Sequence, residues 1–120
     1  MSDSHRYERG DVFWAPDPFR DGSNPRLWLL LASDTLPYPN EEYICAALTT
    51  TDLPHNFEIG TDWTEGKNPD KTSYCSPWVI ATIKHSSIVN PQGRVTQEFT
   101  DKTISETISY LSEENAEMEI

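Results

Sequence analysis

Apolar residues in this 120-residue chain occur in short runs, separated by Pro, Gly, Asn and Asp. The longest run, residues 27–32, has only six residues, whereas a membrane-spanning helix needs about 20. Short apolar runs bounded by turn-forming residues are typical of small all-β barrels and sandwiches. The pattern therefore excludes a membrane-spanning helix and predicts a mainly β domain.

Five strands are predicted from these runs, at residues 12–15, 27–33, 43–50, 56–59 and 78–83. The second contains enough Leu and Trp to be buried on both faces. Ile88 and Val95 are predicted to lie near turns around residues 90–93. Strands followed by a single helix place the chain in the mainly β, or α+β, class.

The helix is predicted to begin at Thr100, whose hydroxyl can accept a backbone N–H of the first turn. Phe99 and Ile104 have the spacing of a hydrophobic staple across that start. Ile104, Ile108 and Leu111 then form one apolar stripe, which we expect to pack against the sheet.

The length of the chain suits one domain, since domains most often have about 100–150 residues. We expect a flexible N-terminal tail at residues 1–7, one domain at residues 8–112, and an acidic C-terminal tail at residues 113–120. The first ten residues lack the apolar stretch of a secretory signal. We therefore expect a cytoplasmic protein that does not bind membranes.

Acidic residues outnumber basic ones by 20 to 9, which gives a net charge of −11. Such a charge repels nucleic acid at long range. Either the protein has no polyanionic partner, or it works in a high-salt, halophilic cytoplasm such as that of a haloarchaeon. In molar salt the Debye length is only ~3 Å, so local arginines can still hold phosphate. The low lysine content and the scattered acids favour the second explanation.

Two cysteines, Cys45 and Cys75, are too few for a disulfide framework or a four-cysteine zinc site, and we expect buried, reduced thiols. His5, His55 and His85 lie far apart in the sequence, with no metal-ligand spacing. The sequence also has no phosphate loop, dinucleotide fingerprint or nucleophile elbow. No metal or cofactor is predicted.

The loop at residues 20–26 offers Arg20, Ser23, Asn24 and Arg26 as phosphate-binding groups, because guanidinium and small polar groups donate well to phosphate oxygens. The simpler alternative is an ordinary hairpin loop in which Arg26 pairs with a nearby acid, and from the sequence alone this alternative is favoured.

Three threonines, Thr49 to Thr51, end the third strand. Arg26, Lys84 and His85 are the further side chains that could serve RNA cleavage. Thr49 and Thr50 are ordinary strand residues, but their hydroxyls could also orient a ribose or a phosphate. Lys84 and His85 follow the fifth strand and are either a solvated turn or a charge donor and a proton carrier. Attack by a 2′-OH on its phosphate needs a base, an acid and cations, which Arg26, Lys84 and His85 could supply without metal.

Five segments in order resemble the MazF/PemK toxins, the ribonuclease halves of type II toxin–antitoxin systems. The segments are RGDVFWAPDP (9–18), PRLWLLLASD (25–34), YICAALTTTD (43–52), LPHNFEI (53–59) and SPWVIATIKHSSI (76–88). The resemblance implies an SH3-like β-barrel of about five to seven strands with a C-terminal helix. It also implies a homodimer that binds single-stranded RNA across the dimer face, and a cognate antitoxin that covers that face with an acidic segment.

The resemblance assigns the family's loop arginine to Arg26 and its strand-end threonine to Thr49. Two positions depart from the family pattern. Leu27 replaces the proline after the arginine, and Ala81 stands where the family often has a second arginine. Loss of one donor aimed at a transition state typically costs ~10²–10³ in rate.

The leading hypothesis is therefore a metal-independent, toxin-type endoribonuclease (mRNA interferase) that cleaves single-stranded RNA by 2′-OH attack. Its predicted catalytic residues are Arg26, Thr49, Lys84 and His85, and its predicted RNA contacts are Arg20, Ser23, Asn24 and Thr50. The alternative is a catalytically weak or inactive barrel that binds RNA or a partner protein. A third possibility is a structural barrel in which the four tryptophans, Trp14, Trp28, Trp63 and Trp78, only form core.

Overall fold

A computed structural model describes residues 6–19, 24–66 and 71–112, and these form one curled, half-barrel sheet with one α-helix. The strands are β1 (Asp11–Ala15), β2 (Arg26–Ala32), β3 (Glu42–Thr49), β4 (Phe57–Glu58), β5 (Trp63–Glu65), β6 (Tyr74–Lys84) and β7 (Asn90–Val95), and the helix is α1 (Gln97–Leu111). The order across the sheet is β4-β6-β3-β2-β1-β7-β5, with antiparallel neighbours. The mainly β fold with a C-terminal helix is confirmed.

Alternate residues of β2 enter two apolar cores on opposite faces of the sheet, as predicted for residues 27–33. The helix-side core contains Val12, Leu27, Leu29, Leu31, Ala46, Leu48, Ile59, Cys75, Val95 and Phe99. The second core contains Phe13, Ala15, Trp28, Leu30, Tyr43, Cys45, Ala47 and Ile83. The two-residue repeat of a strand thus fixes which side chains of β2 and β3 share a face.

Strands β5 and β7 differ from the prediction, which placed turns near residues 90–93 and no strand at β5. Backbone pairing forms them instead, since β7 lies between β1 and β5 and pairs with both. Gly93 allows this pairing, because a Cβ there would overlap the carbonyl oxygen of Glu65. A segment with little apolar content therefore becomes a strand because its neighbours supply partners.

The sixth strand is longer than the predicted range 78–83 because it continues through a bulge. Its register with β3 moves from Ala46 opposite Ile80 to Ala47 opposite Ser76. The extra residues include Pro77, which has no N–H to donate to a ladder and is tolerated at such a bulge.

Helix α1 begins earlier than predicted. Its N-cap is Thr96, whose hydroxyl accepts the backbone N–H of Phe99 at 3.1 Å. Thr100, the predicted cap, is instead buried inside the first turn, where its hydroxyl donates to the carbonyl of Thr96 at 3.0 Å. Both threonines suit an N-cap, and the structure uses the one that follows β7 directly.

The predicted apolar stripe of α1 is wrong at its C-terminal end. Phe99 and Thr103 face the sheet, and Ile104 packs against the helix-side core. Ile108 and Leu111 are 59% and 77% exposed. The buried face of α1 is set by Phe99, which lies in the helix-side core. Ile108 and Leu111 lie outside this buried face.

The ends of the chain bear on the predicted domain limits. Residues 1–5 and 113–120 lie outside the described residues. Tyr7, placed by the sequence in the N-terminal tail, packs edge-on against Phe13 with ring centroids 5.2 Å apart. The division at residues 8 and 112 stays a prediction. No helix in the described part of the chain is long and apolar enough to cross a membrane.

The four tryptophans divide between core and surface. Trp28 is fully buried, and Trp14 and Trp63 pack at the border of the helix-side core. Trp78 is 42% exposed and contacts Tyr110 on α1 at 5.9 Å between ring centroids. Three of the four tryptophans therefore contribute to core, and Trp78 does not fit the possibility in which all four only form core.

Replacing Thr96 with Ala should lower the free energy of unfolding by about 1–2 kcal/mol, because the helix loses its N-cap. Ile108→Ala, on an exposed face of the same helix, should cost less than about 0.5 kcal/mol. Urea unfolding followed by circular dichroism measures both values. A larger loss for Ile108→Ala than for Thr96→Ala would contradict the observed helix start and packing face.

Candidate functional site

Two of the predicted site residues, Arg26 and Thr49, meet where β2 begins and β3 ends. Trp28 lies opposite Ala47, and continuing this register by two residues places Arg26 opposite Thr49. Residues paired in this way have Cβ atoms roughly 5 Å apart. Both side chains alternate onto the face of the second core, so they lie together at its edge.

The guanidinium of Arg26 is held by three contacts. Its Nη1 donates to Oδ2 of Asp17 at 3.1 Å, and its Nη2 donates to the carbonyl of Leu48 at 3.0 Å. Its Cζ lies 5.6 Å from the centre of the Trp28 ring. The sequence alternative, in which Arg26 pairs with an acid, therefore describes the structure correctly.

The Arg26 side chain is nevertheless 27% exposed, whereas that of Asp17 is 5% exposed. The described contacts use one N–H on each terminal nitrogen, so the remaining N–H groups of the guanidinium can still donate to a ligand. The ion pair thus orients Arg26 without enclosing it.

Asp17 itself is part of the turn after β1. Its Oδ1 accepts the backbone N–H of Phe19 at 2.8 Å. Sequence reasoning did not single out Asp17, although an acid flanked by Pro16 and Pro18 directly after a strand is a recognisable turn signal.

The hydroxyl of Thr49 accepts the backbone N–H of Thr51 at 3.1 Å, so its own O–H can donate to a ligand. Thr50 follows it and is exposed, and Asn24 is exposed two residues before Arg26. Arg20 and Ser23 lie outside the described residues. The structure therefore gathers four predicted residues, Asn24, Arg26, Thr49 and Thr50, at one end of the sheet.

Lys84 and His85 lie at the opposite end of the same strands. Lys84 is paired with Glu42 at the start of β3, and the length of β3 at roughly 3.3 Å per residue puts about 23 Å between Glu42 and Thr49. His85 shares a 2.7 Å hydrogen bond between its Nδ1 and the hydroxyl of Tyr43. Within one chain these two side chains do not reach Arg26.

His55 is a residue that sequence reasoning considered only as a metal ligand. It is exposed and has a positive φ of 71° in the loop between β3 and β4. The next residue, Asn56, donates from Nδ2 to the carbonyl of Thr51 at 3.3 Å, and Thr51 in turn bonds Thr49. This chain of contacts ties the His55 loop to the Arg26 end of the sheet.

Carboxylates also surround this end of the sheet. Tyr74 is paired with Thr49, and burial together with the charges of Asp52 and Glu58 raises the pKa of Tyr74. Because Asp17 also touches Arg26, the surroundings of the guanidinium are not strongly positive. A polyanion would be held here by short hydrogen bonds more than by long-range attraction.

Ala81, which replaces the second arginine of the resembling family, is paired with Cys45 in the middle of the sheet. It packs against the second core. Ala81 thus contributes an apolar side chain where the resembling family often has an arginine.

Both cysteines are free and buried, as predicted. Burial raises the pKa of the Cys75 thiol to about 12 and also raises that of Cys45. The two thiols belong to cores on opposite faces of the sheet. Neither is suited to act as a thiolate nucleophile at neutral pH. Among the described residues, no group of three or more His, Cys, Asp or Glu side chains is placed to hold a metal ion.

No family model and no curated protein sequence matches this chain. Solved structures do match its fold. An endoribonuclease in complex with its cognate antitoxin, from Mycobacterial species, aligns with a TM-score of 0.63 and 19% identity over 88% of this chain and 92% of its own. A second endoribonuclease from Mycobacterial species aligns with a TM-score of 0.62 and 18% identity, covering 88% and 90%.

The Mycobacterium tuberculosis toxin MazF-mt6 aligns with a TM-score of 0.61 and 17% identity, covering 83% of this chain and 93% of its own. These identities are low, so the likeness concerns the backbone fold. The chain has the fold of the toxin MazF-mt6 and of these endoribonucleases, and the resemblance to the MazF/PemK toxins is confirmed at that level.

Proposed function

We propose that this protein is a metal-independent, toxin-type endoribonuclease of the MazF/PemK family that cleaves single-stranded RNA. The observation that carries the proposal is the pairing of an oriented, partly exposed Arg26 with Thr49 at one end of a sheet whose fold matches solved endoribonucleases. In the reaction, the ribose 2′-oxygen forms a bond to the adjacent phosphorus, and the bond from phosphorus to the 5′-oxygen breaks. The 2′-OH loses its proton to a base, and the 5′-oxygen gains one from an acid.

Each gathered residue has a role that follows from its chemistry. Arg26 donates to the non-bridging phosphate oxygens, whose negative charge grows in the phosphorane-like transition state. Thr49 donates its O–H to the phosphate or ribose of the same nucleotide. Thr50 and Asn24 contact neighbouring parts of the RNA backbone. RNA contacts by Arg20 and Ser23, which lie outside the described residues, stay a prediction.

The proton carrier has to come from elsewhere, because Lys84 and His85 of the same chain lie at the far end of β3. We propose that the protein is a homodimer in which a second copy brings Lys84 and His85 towards Arg26. The resemblance to the MazF/PemK toxins supports a homodimer, and the distance within one chain requires one if these two residues take part. His55 of the same chain is another imidazole that could serve.

Arg26→Ala should lower the rate of single-stranded RNA cleavage by ~10²–10³, because one donor to the transition state is lost. Lys102→Ala is the control, since it removes one positive charge from an exposed residue of α1, and α1 packs on the sheet face opposite to that of Arg26; its rate should equal that of wild type. Cleavage of a fluorescent RNA in EDTA measures both rates. A wild-type protein without cleavage, or equal rates for Arg26→Ala and wild type, would refute the proposed function.

Two observations argue against cleavage and favour the alternative, a barrel that binds RNA or a protein without cutting. Asp17 neutralises Arg26, and Ala81 replaces a cation of the resembling family. Growth separates the two functions, since expression of a nuclease arrests the host and Arg26→Ala relieves the arrest.

The solved relative in complex with its cognate antitoxin supports an antitoxin partner here too. Co-expression of a small protein encoded beside this one should then restore growth.

Mixing Arg26→Ala with His85→Gln should restore cleavage that neither variant shows alone. In the mixed dimer, one site combines an intact Arg26 with an intact His85 from the other copy. The control mixes Arg26→Ala with a chain carrying both substitutions, where no site is complete. Full activity of His85→Gln alone would remove His85 from the mechanism, and loss of activity in His55→Gln instead would assign the proton transfer to the same chain.

Cleavage should become faster as salt rises from ~0.1 to ~1 M, because the Debye length falls from ~10 to ~3 Å and screens the repulsion between RNA and a chain of charge −11. Basic nucleic-acid-binding proteins show the reverse dependence. The measurement is kcat/KM across a potassium chloride series, with solubility followed in parallel. Best activity and solubility in dilute buffer would count against the proposed high-salt, halophilic setting.

A further inference from the structure

Asp17 is a nearly buried carboxylate beside the arginine on which the proposed function depends. Its two oxygens have different partners. Oδ1 accepts the N–H of Phe19 at 2.8 Å, and Oδ2 accepts Nη1 of Arg26 at 3.1 Å. The side chain is 5% exposed, so solvent screens its charge only weakly and the carboxylate interacts strongly with Arg26 beside it.

The geometry of Asp17 affects the orientation of Arg26. An arginine side chain has several rotatable bonds, and its planar fork binds an anion well in only a few orientations. Asp17 and the Leu48 carbonyl hold the two terminal nitrogens, and the ring of Trp28 lies against the guanidinium. The fork is thus oriented before RNA binds, which removes an ordering cost from the reaction step.

The charge of Asp17 has the opposite effect on binding. A carboxylate in contact with Arg26 cancels part of the positive field that a phosphate would meet, and it repels the phosphate directly. Asp17 therefore weakens ground-state RNA binding while it aligns the donor for the transition state. Such a division raises kcat without tightening substrate binding.

We propose that Asp17 is a positioning residue for RNA cleavage: it orients the guanidinium of Arg26 and, by its charge, keeps ground-state affinity for RNA low. This inference rests on the proposed function. It predicts that removal of the Asp17 charge lowers kcat without raising KM, which a residue that only stabilises the fold would not do.

Asp17→Asn tests this inference with little change of volume. Asparagine has one acceptor oxygen where the carboxylate has two, so in the observed geometry either Phe19 or Arg26 loses its acceptor. It also carries no charge to hold the guanidinium. We expect kcat to fall by about 10–100-fold, with KM for single-stranded RNA equal to or below that of wild type. Arg26→Ala should instead lower kcat and raise KM together.

Asp52→Asn is the matched control, since it removes one negative charge from the exposed loop after β3 at the same end of the sheet. It should lower KM slightly and leave kcat unchanged. Asp17→Glu keeps the charge but moves it by one methylene, so it should lower kcat without lowering KM. In an Arg26→Ala background, Asp17→Asn should have no further effect on kcat, because Asp17 acts through Arg26.

Thermal unfolding of each variant shows whether it is folded at the assay temperature. A folded Asp17→Asn with wild-type kcat, or one that still lowers kcat in the Arg26→Ala background, would overturn the inference and leave the proposed function intact. If Asp17→Asn does not fold, Asp17→Glu decides the question by the same kcat criterion. Absence of cleavage by the wild type would refute the proposed function and this inference together.

Discussion

The burial of β2 on both faces is the constraint on which the rest of the structure depends. Leu27, Leu29 and Leu31 enter the helix-side core, while Trp28 and Leu30 enter the second core. A shift of one residue in the pairing of β2 would exchange the two sets, so each core would receive side chains that belong to the other. The register with β3 is therefore strongly specified, and that register sets Arg26 beside Thr49.

The same register explains why the site lies where the cores end. Arg26 and Thr49 are the residues at which the apolar alternation of β2 and β3 stops. Polar side chains there continue the face of Trp28 and Ala47, so they meet the edge of a buried apolar surface. An arginine in this position can rest its guanidinium on Trp28 and still keep part of it in solvent. The packing of the sheet thus produces an oriented cation at its rim.

Strands β1, β2 and β3 could be predicted because each contains its own apolar run. Strands β5 and β7 could not, because they form through pairing with β1 and with each other, and residues such as Asn90 and Gly93 read locally as a turn. The prediction placed the start of α1 at Thr100, although Thr96 is also a good cap. The structure uses Thr96, which directly follows β7 and accepts the backbone N–H of Phe99.

For the site, the resemblance supplied Arg26 and Thr49, and the register brings them together. The sequence could not show that Lys84 and His85 lie about 23 Å away along β3, because that distance follows from where β6 pairs with Glu42. It also could not show which acid approaches Arg26. The chain has 20 acidic residues. The turn after β1, in which Asp17 accepts the backbone N–H of Phe19, is what places this one acid beside Arg26.

The charge of the chain bears on how such a site can work. With a net charge of −11, long-range attraction cannot recruit RNA, so the proposed RNA binding depends on short contacts made once protein and RNA touch. An unpaired arginine would increase that affinity for substrate and transition state alike, which lowers KM without accelerating the chemical step. Because Asp17 already partly neutralises Arg26, the arginine stabilises the bound ground state only a little. It would stabilise the transition state more, because the phosphate carries additional negative charge there. The pairing that first argues against a role for Arg26 in phosphate binding is therefore compatible with catalysis, because selectivity for the transition state depends on the difference between two interactions and not on the strength of either.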